Sequence, residues 1–325
     1  MAASRRVVPG LVVLLTLGAL ARAIGGATPL SPLVVAIGTG ALVAALVGVP
    51  DWAQAGVDRH KLLLETGIVL LGAQLTFGQL VTTGPVVVAL AMGVVVVGVV
   101  FVELLGRQAG IESRTRSLLA AGASVCGVSA VLAVAGSIDG DEADISYAAG
   151  TVLLFDAVTL VVFPILGTTL GLPDRVFGVW AGLSLFSTGP TAAVGFAVSE
   201  TAGQWATITK LVRNTFIGVL AVAYALYYTS DGERTDATEI WYRFPKFLVG
   251  FLLVALIANL GLVDAATGAA VERVGDWLFT LAFVGLGFEL NPRRLRSTGL
   301  RPLLVVLAQF LTVSLLALGA ALLLL

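Results

Sequence analysis

Apolar residues run along this chain in long unbroken stretches separated by short polar gaps, with neither the two-residue alternation of a half-buried strand nor the stripe of a surface helix. Stretches of about 17 to 25 apolar residues fit helices that cross about 30 Å of hydrocarbon at 1.5 Å per residue. The pattern predicts helices over residues 7–23, 32–49, 62–80, 86–105, 117–137, 145–170, 177–198, 204–228, 244–262, 274–290 and 302–325. Barrel strands would alternate, so the expected fold is an all-α polytopic membrane protein of about eleven transmembrane helices. No long polar stretch interrupts the series, so residues 1–325 read as a single transmembrane domain, with segment 7–23 peripheral to a ten-helix core over 32–325. The Arg5-Arg6 start and the Ala-Arg-Ala tripeptide at 21–23 also fit a cleaved signal peptide.

Composition agrees: 58% hydrophobic residues, 12% charged and a mean hydropathy of +1.01 lie outside the range of soluble domains. A net charge of -1 gives no electrostatic case for nucleic acid, and the lone Cys126 excludes an intramolecular disulfide. No metal-ligand spacing or phosphate-binding loop is visible, so neither a metal nor a cofactor is expected. An enzyme is not expected either. Ser124, Cys126 and Ser129 have no histidine companion within the apolar segments, His60 being the only histidine.

Basic residues set the orientation, because cytoplasmic loops hold the excess of Lys and Arg. With the N-terminus inside, 15 of the 19 fall on cytoplasmic segments, Arg22 and Arg273 fall outside, and Lys210 and Arg213 lie within a span. The expected placement is therefore the cell membrane with a cytoplasmic N-terminus. Asp139, Asp141, Glu142 and Asp144 then cluster in an outer loop. Residues 69–84 (VLLGAQLTFGQLVTTG) also align without gaps on 284–299 (VGLGFELNPRRLRSTG), in segments of opposite predicted direction. That is the inverted repeat of secondary transporters, although two helix ends rich in Leu, Gly and Val can also match by chance.

Two segments carry small and polar residues at their centres. The first has Gly122, Ser124, Cys126, Gly127 and Ser129; the second has Ser187, Thr188, Gly189, Pro190 and Thr191. Pro190 removes a backbone donor, so a discontinuous helix is expected there, its free amides offering an anion site. Close packing through small residues is the plainer account of the first segment. Lys210, Arg213 and Asn214 share one helix face deep in a span, where charges mark a pathway. Lys210 could instead snorkel to the headgroups, and Arg213 could form a structural pair with Asp156 in VLLFDAVTL. Glu65, Glu289 and Asn259 read as interfacial or packing residues.

The stretches GIVLLGAQLTFGQL (67–80), AGASVCGVSAVLA (121–133), FGVWAG (177–182), ITKLVRN (208–214) and GLGFELNPRRLRSTGLRPLL (285–304) together resemble the YeiH family of membrane proteins, whose members are often called sulfate exporters. The resemblance implies an inverted-repeat transporter fold with discontinuous helices meeting at the midplane. It implies a site around Gly127, the break near Pro190, Lys210 and Arg213. The chain departs from the family's pattern at Gln74, at Phe186 and Ser187, and at Asp156. The leading expectation is a secondary transporter or exporter of a small oxyanion such as sulfate or a sulfonate. Its binding residues would be Lys210, Arg213, Asn214, Ser187, Thr188, Gly189, Thr191, Ser124, Gly127 and Ser129, with Asp156 as coupling or charge partner. The alternatives are a cation or proton antiporter using Asp156, and a non-transporting receptor or assembly subunit. Expected partners are the anion, a coupling proton or sodium ion, the lipid bilayer and a second copy of the chain.

Overall fold

The computed structural model describes residues 2–28, 32–74, 77–138, 140–228, 246–289 and 300–325. Part of the aligned pair 69–84 and 284–299 lies outside the described residues, as do Asp139, Arg234, Arg243, Arg293, Arg294 and Arg296. The helices are α1 (Ala2–Ala27), α2 (Pro32–Leu46), α3 (Asp51–Val57), α4 (His60–Leu71, continued by a 3-10 turn over Gly72–Gln74), α5 (Phe77–Gln108), α6 (Ser113–Ser124), α7 (Val128–Ala135) and α8 (Glu142–Leu170). They continue with α9 (Asp174–Ser184), α10 (Thr188–Val198), α11 (Glu200–Asn214), α12 (Phe216–Tyr228), α13 (Lys246–Asn259), α14 (Ala265–Glu289) and α15 (Leu300–Leu324). No strand occurs among the described residues. Among the described residues five stretches are long and apolar enough to cross a membrane: Val7–Ala27, Gly84–Gln108, Ala143–Leu170, Glu200–Tyr228 and Leu300–Leu324. Large apolar side chains such as Val96, Val100, Val161, Ile165, Leu311 and Leu315 stand exposed along them, the face a lipid would cover. The predicted segment 62–80 differs: its helix gives way to a 3-10 turn at Gly72, and residues from 77 onward already belong to the next helix. Residues 72–85 (GAQLTFGQLVTTGP) hold five Gln and Thr side chains spread among five apolar ones, so hydropathy does not single out where one helix ends and the next begins.

The chain forms two compact units. The first comprises residues 1–82 and 246–293. Its helices approach through glycine: Gly10 of α1 lies on the backbone of α3 at Gly56, and Gly40 of α2 on that of α14 at Gly287. Such small-residue contacts replace the hydrophobic drive that helices lose in lipid. Arg22 donates to Thr280 at 3.1 Å and lies over the Trp277 ring, while Lys61 pairs with Glu289 at 3.0 Å.

The second unit comprises residues 83–245 and 294–325 and holds the predicted discontinuous segments. The expectation that 117–137 and 177–198 each cross the membrane is corrected here, because both fold back on themselves. In the first, Val131 of α7 packs on Gly122 of α6, and Gly140 reaches back to Leu118, so the two arms run antiparallel. Thr115 near the start of α6 donates to Asp144 near the start of α8, and Val152 meets Gly122, so α6 and α8 run parallel from a common end. In the second, Gly178 and Gly182 of α9 lie on α11 at Ala202–Ala206 and at Thr209, in parallel. Gly195 of α10 meets Gly203, and Thr188 meets Asn214, in antiparallel order. Arms of 12 and 8 residues, and of 11 and 11, are each too short to span the hydrocarbon.

The two hairpins share one plan at a constant offset of sixty residues, α6 ending at Ser124 and α9 at Ser184, α7 starting at Val128 and α10 at Thr188. Ala121-Gly122-x-Ser124 matches Ala181-Gly182-x-Ser184 in that register. They point in opposite directions. While α6 runs parallel to α8, α9 runs antiparallel to it, through the Phe163–Trp180 stack and the approach of Phe177 to Gly167. Helix α15 lies along α9, Trp180 donating to the Ser314 carbonyl at 3.0 Å and Phe310 meeting Phe186.

Candidate functional site

The hairpin tips, Val125–Gly127 and Leu185–Ser187, meet inside the second unit. Gly127 has φ +69°, and a Cβ there would run into the Ser187 hydroxyl, so only glycine lets the tips approach this closely. Each tip joins the C-terminus of one short helix, with carbonyls left unpaired, to the N-terminus of another, with amides left unpaired.

Helix α11 supplies the groups that answer the carbonyls. Lys210, 0% exposed, donates from Nζ to Val125 O at 2.7 Å and Leu185 O at 2.8 Å, one carbonyl from each tip. Arg213, also 0% exposed, donates from Nε to Val125 O at 2.8 Å, from Nη1 to Leu183 O at 2.5 Å and Gly182 O at 3.3 Å, and from Nη2 to Ala123 O at 3.4 Å. Two cations thus cap the C-termini of α6 and α9, where the macrodipoles are negative. Snorkelling of Lys210 is excluded by this burial, and among the described residues no ion pair joins Arg213 to Asp156. The carboxylate of Asp156 instead accepts the Ser187 amide on Oδ1 at 3.1 Å, at the N-terminal end of α10, and its Oδ2 has no hydrogen-bond partner. Asn214 Nδ2 donates to Thr188 Oγ1 at 3.0 Å, leaving Asn214 Oδ1 unpartnered.

The structure therefore gathers Lys210, Arg213, Asn214, Asp156, Gly127, Ser187, Thr188 and Gly189 around the two tips. Ser187 and Thr188 are half-buried and Ser129, near the start of α7, is exposed. Thr191 stands one turn inside α10 with its hydroxyl on Ser187 O at 2.7 Å, a helix-internal bond. Ser124 turns away, against Gly98 of α5 and Gln309 of α15, where its hydroxyl and both ends of the Gln309 side chain are buried without partners. Sequence reasoning passed over Gln309, though an amide in the apolar run LLVVLAQFLTV is the same kind of signal that singled out Asn214. It also passed over Glu103, which ties α5 to the base of the first hairpin and to α12 by accepting from Arg116 (2.6 Å), Ser117 (2.7 Å) and Tyr224 (2.8 Å). Among the described residues no group of three or more His, Cys, Asp or Glu side chains could hold a metal ion.

Apolar helices of spanning length, short helices ending inside a helical unit and buried charges spent on helix termini define a multi-pass α-helical membrane protein. Residues 9–306 match the family model described as conserved hypothetical protein 698, and the chain belongs to that family. Its curated relatives bear the name UPF0324 membrane protein and fit the YeiH resemblance. One from Rhodopirellula baltica is 31% identical over 273 residues, 79% of this chain and 50% of that protein; another, from Nitratidesulfovibrio vulgaris, is 29% identical over 280 residues, 83% and 78%. TauZ of Paracoccus denitrificans is 26% identical over 269 residues, 80% of each chain. The chain thus spans about half the length of the Rhodopirellula relative.

Proposed function

We propose that the chain is a secondary transporter of a small oxyanion, with sulfate or a sulfonate as the class to try first, bound where the hairpin tips meet. The carrying observation is the charge of the buried tip region. The two helix C-termini (α6, α9) and two N-termini (α7, α10) bring opposed half-charges that cancel in pairs. Of the side chains, Lys210 and Arg213 bring two formal positive charges and Asp156 one formal negative, a formal net of +1 among buried groups. An isolated excess charge is costly there, and an anion at the free amides of Val128 and Ser129 or of Thr188 and Gly189 would offset it. On this reading the lysine and arginine act on the anion mainly through the field, since two of the three ammonium donors and four of the five guanidinium donors are held by carbonyls. Each hairpin followed by a long helix, 113–170 and 174–228, forms one half of an inverted repeat, the transporter architecture that places substrate between discontinuous helices. No catalytic step is assigned.

The orientation belongs to the same proposal. With both hairpins folding back, the loop at 140–144 moves to the cytoplasmic side and Arg175 to the outer side. The basic count becomes 14 inside to 3 outside, and the N-terminus stays cytoplasmic.

The test is thermal unfolding of the purified protein in detergent against sulfate, sulfite, thiosulfate, small sulfonates, phosphate and chloride. A ligand at a hundred times its dissociation constant adds about 2.7 kcal/mol, a readily measured shift. One oxyanion should raise the midpoint of the wild type and fail to raise that of Lys210→Met. A midpoint that ignores every oxyanion and follows only sodium or pH would replace this reading with a cation or proton antiporter working through Asp156, which the unpartnered Oδ2 favours.

A further inference from the structure

Asp156 is 2% exposed and Asn214 is 4% exposed, yet each leaves one oxygen, Asp156 Oδ2 and Asn214 Oδ1, without a hydrogen-bond partner. Their other terminal atoms hold consecutive residues of one turn: Oδ1 of Asp156 takes the Ser187 amide and Nδ2 of Asn214 takes Thr188 Oγ1. Two orphaned acceptors therefore flank the half-buried residues 187 and 188. A hydroxyl that accepts one hydrogen bond keeps a second lone pair, so Thr188 Oγ1 can add a further oxygen, and Ser187 Oγ a fourth. A buried polar atom without a partner is costly, and a buried carboxylate oxygen more so, unless something absent from the protein alone completes it.

A proton on Oδ2 would satisfy that oxygen alone and leave Asn214 Oδ1 without a partner. A divalent ion is also poorly matched, since hard divalent cations draw on several carboxylates and this site has one. Carboxylate, amide and hydroxyl oxygens with a single formal charge, at a point half-open to water, suit a monovalent alkali cation.

We propose that Asp156 Oδ2, Asn214 Oδ1 and the hydroxyls of Ser187 and Thr188 hold a sodium ion that is bound together with the oxyanion. The inference rests on the oxyanion reading for its charge balance: a tip region of +1 becomes -1 with a dianion such as sulfate, and one monovalent cation returns it to zero. Each ion then strengthens the binding of the other by the same factor, as linkage requires.

The experiment uses the purified full chain in detergent, with sodium exchanged against potassium or choline at constant ionic strength, first without any oxyanion and then with sulfate. Sodium should raise the wild-type unfolding midpoint where potassium and choline do not, weakly without the anion, where it takes the tip region from +1 to +2, and strongly with sulfate, so that the shift caused by sulfate is larger in sodium than in choline. Asp156→Asn and Thr188→Val should lose the sodium-specific shift. Equilibrium binding of radioactive sodium to the wild type, expected at one ion per chain, decides the matter if Asp156→Asn does not fold. No sodium-specific shift and no bound sodium in the wild type overturns the cation site, as does an undiminished shift in Thr188→Val. A midpoint that follows pH with no preference for sodium overturns it in favour of a proton. A sodium shift that persists while sulfate shifts nothing upholds the cation site and removes the oxyanion reading, so the two failures are distinguishable.

Discussion

At the level of single residues, the two buried cations of α11 act first as helix caps. Arg213 reaches four carbonyls on two different chain reversals, and nothing else among the described residues is bonded to those of Leu183 and Gly182 beyond the helix. Truncating it exposes several buried acceptors at once, each worth about 1 to 3 kcal/mol when orphaned. Arg213→Ala is expected to lower stability by about 3 kcal/mol or more, with Arg213→Lys recovering part of it, as read by unfolding in detergent. A loss below about 0.5 kcal/mol would mean the carbonyls find other partners. Gln309 gives the opposite sign. Its amide is 1% exposed and unpartnered at both ends, so Gln309→Leu should be neutral or stabilise by up to about 1 kcal/mol, and a clear loss in the same assay would reveal a hidden partner such as a buried water. The charged face 210–214 was legible because charge inside an apolar run is conspicuous. Its bonding was not, because the partners are backbone carbonyls, which have no signature in sequence, and the one visible carboxylate, Asp156, drew the pairing away from them.

At the level of elements, the breaks were legible and the reversals were not. Gly127 and the Thr188-Gly189-Pro190 step both mark discontinuities where the structure has them. Yet a run of about 20 apolar residues has the same hydropathy whether it crosses once or folds back in two short arms. The acidic residues at 139–144 favoured a straight crossing by reading as an outer loop. The deciding facts are contacts: Asp144 with Thr115, and Gly195 with Gly203. Because the tips touch at Gly127, this glycine tests the arrangement directly. Gly127→Ala forces an alanine to φ +69° and places its Cβ on Ser187, at a cost of about 1 to 3 kcal/mol. The expected outcome is a folded protein with a modestly lowered midpoint that no longer responds to oxyanion. An unchanged response would show that the tips need not meet for binding.

At the level of the whole molecule, the proposed orientation keeps the N-terminus where the charge count expects it and, with both hairpins reversed, inverts the expected sides between Ser137 and Glu200. A topology read by counting apolar segments takes each hairpin for a crossing, and only a measurement that samples the middle can tell the two schemes apart. Single cysteines at the exposed positions Arg114, Ala143, Asp174 and Thr201, each in a Cys126→Ala background, sample it. A membrane-impermeant maleimide applied to sealed vesicles of each orientation should label Arg114→Cys and Ala143→Cys from the cytoplasmic face, and Asp174→Cys and Thr201→Cys from the other. Two straight crossings would instead put positions 114 and 143 on opposite faces, and likewise 174 and 201. The sixty-residue register of the hairpins, their opposed directions and the single α11 that caps both would then have to be explained without a common meeting point. Labelling as expected would place the bases of the two hairpins on opposite faces with their tips meeting between them, the arrangement that the proposed carrier needs to expose one site alternately to two compartments.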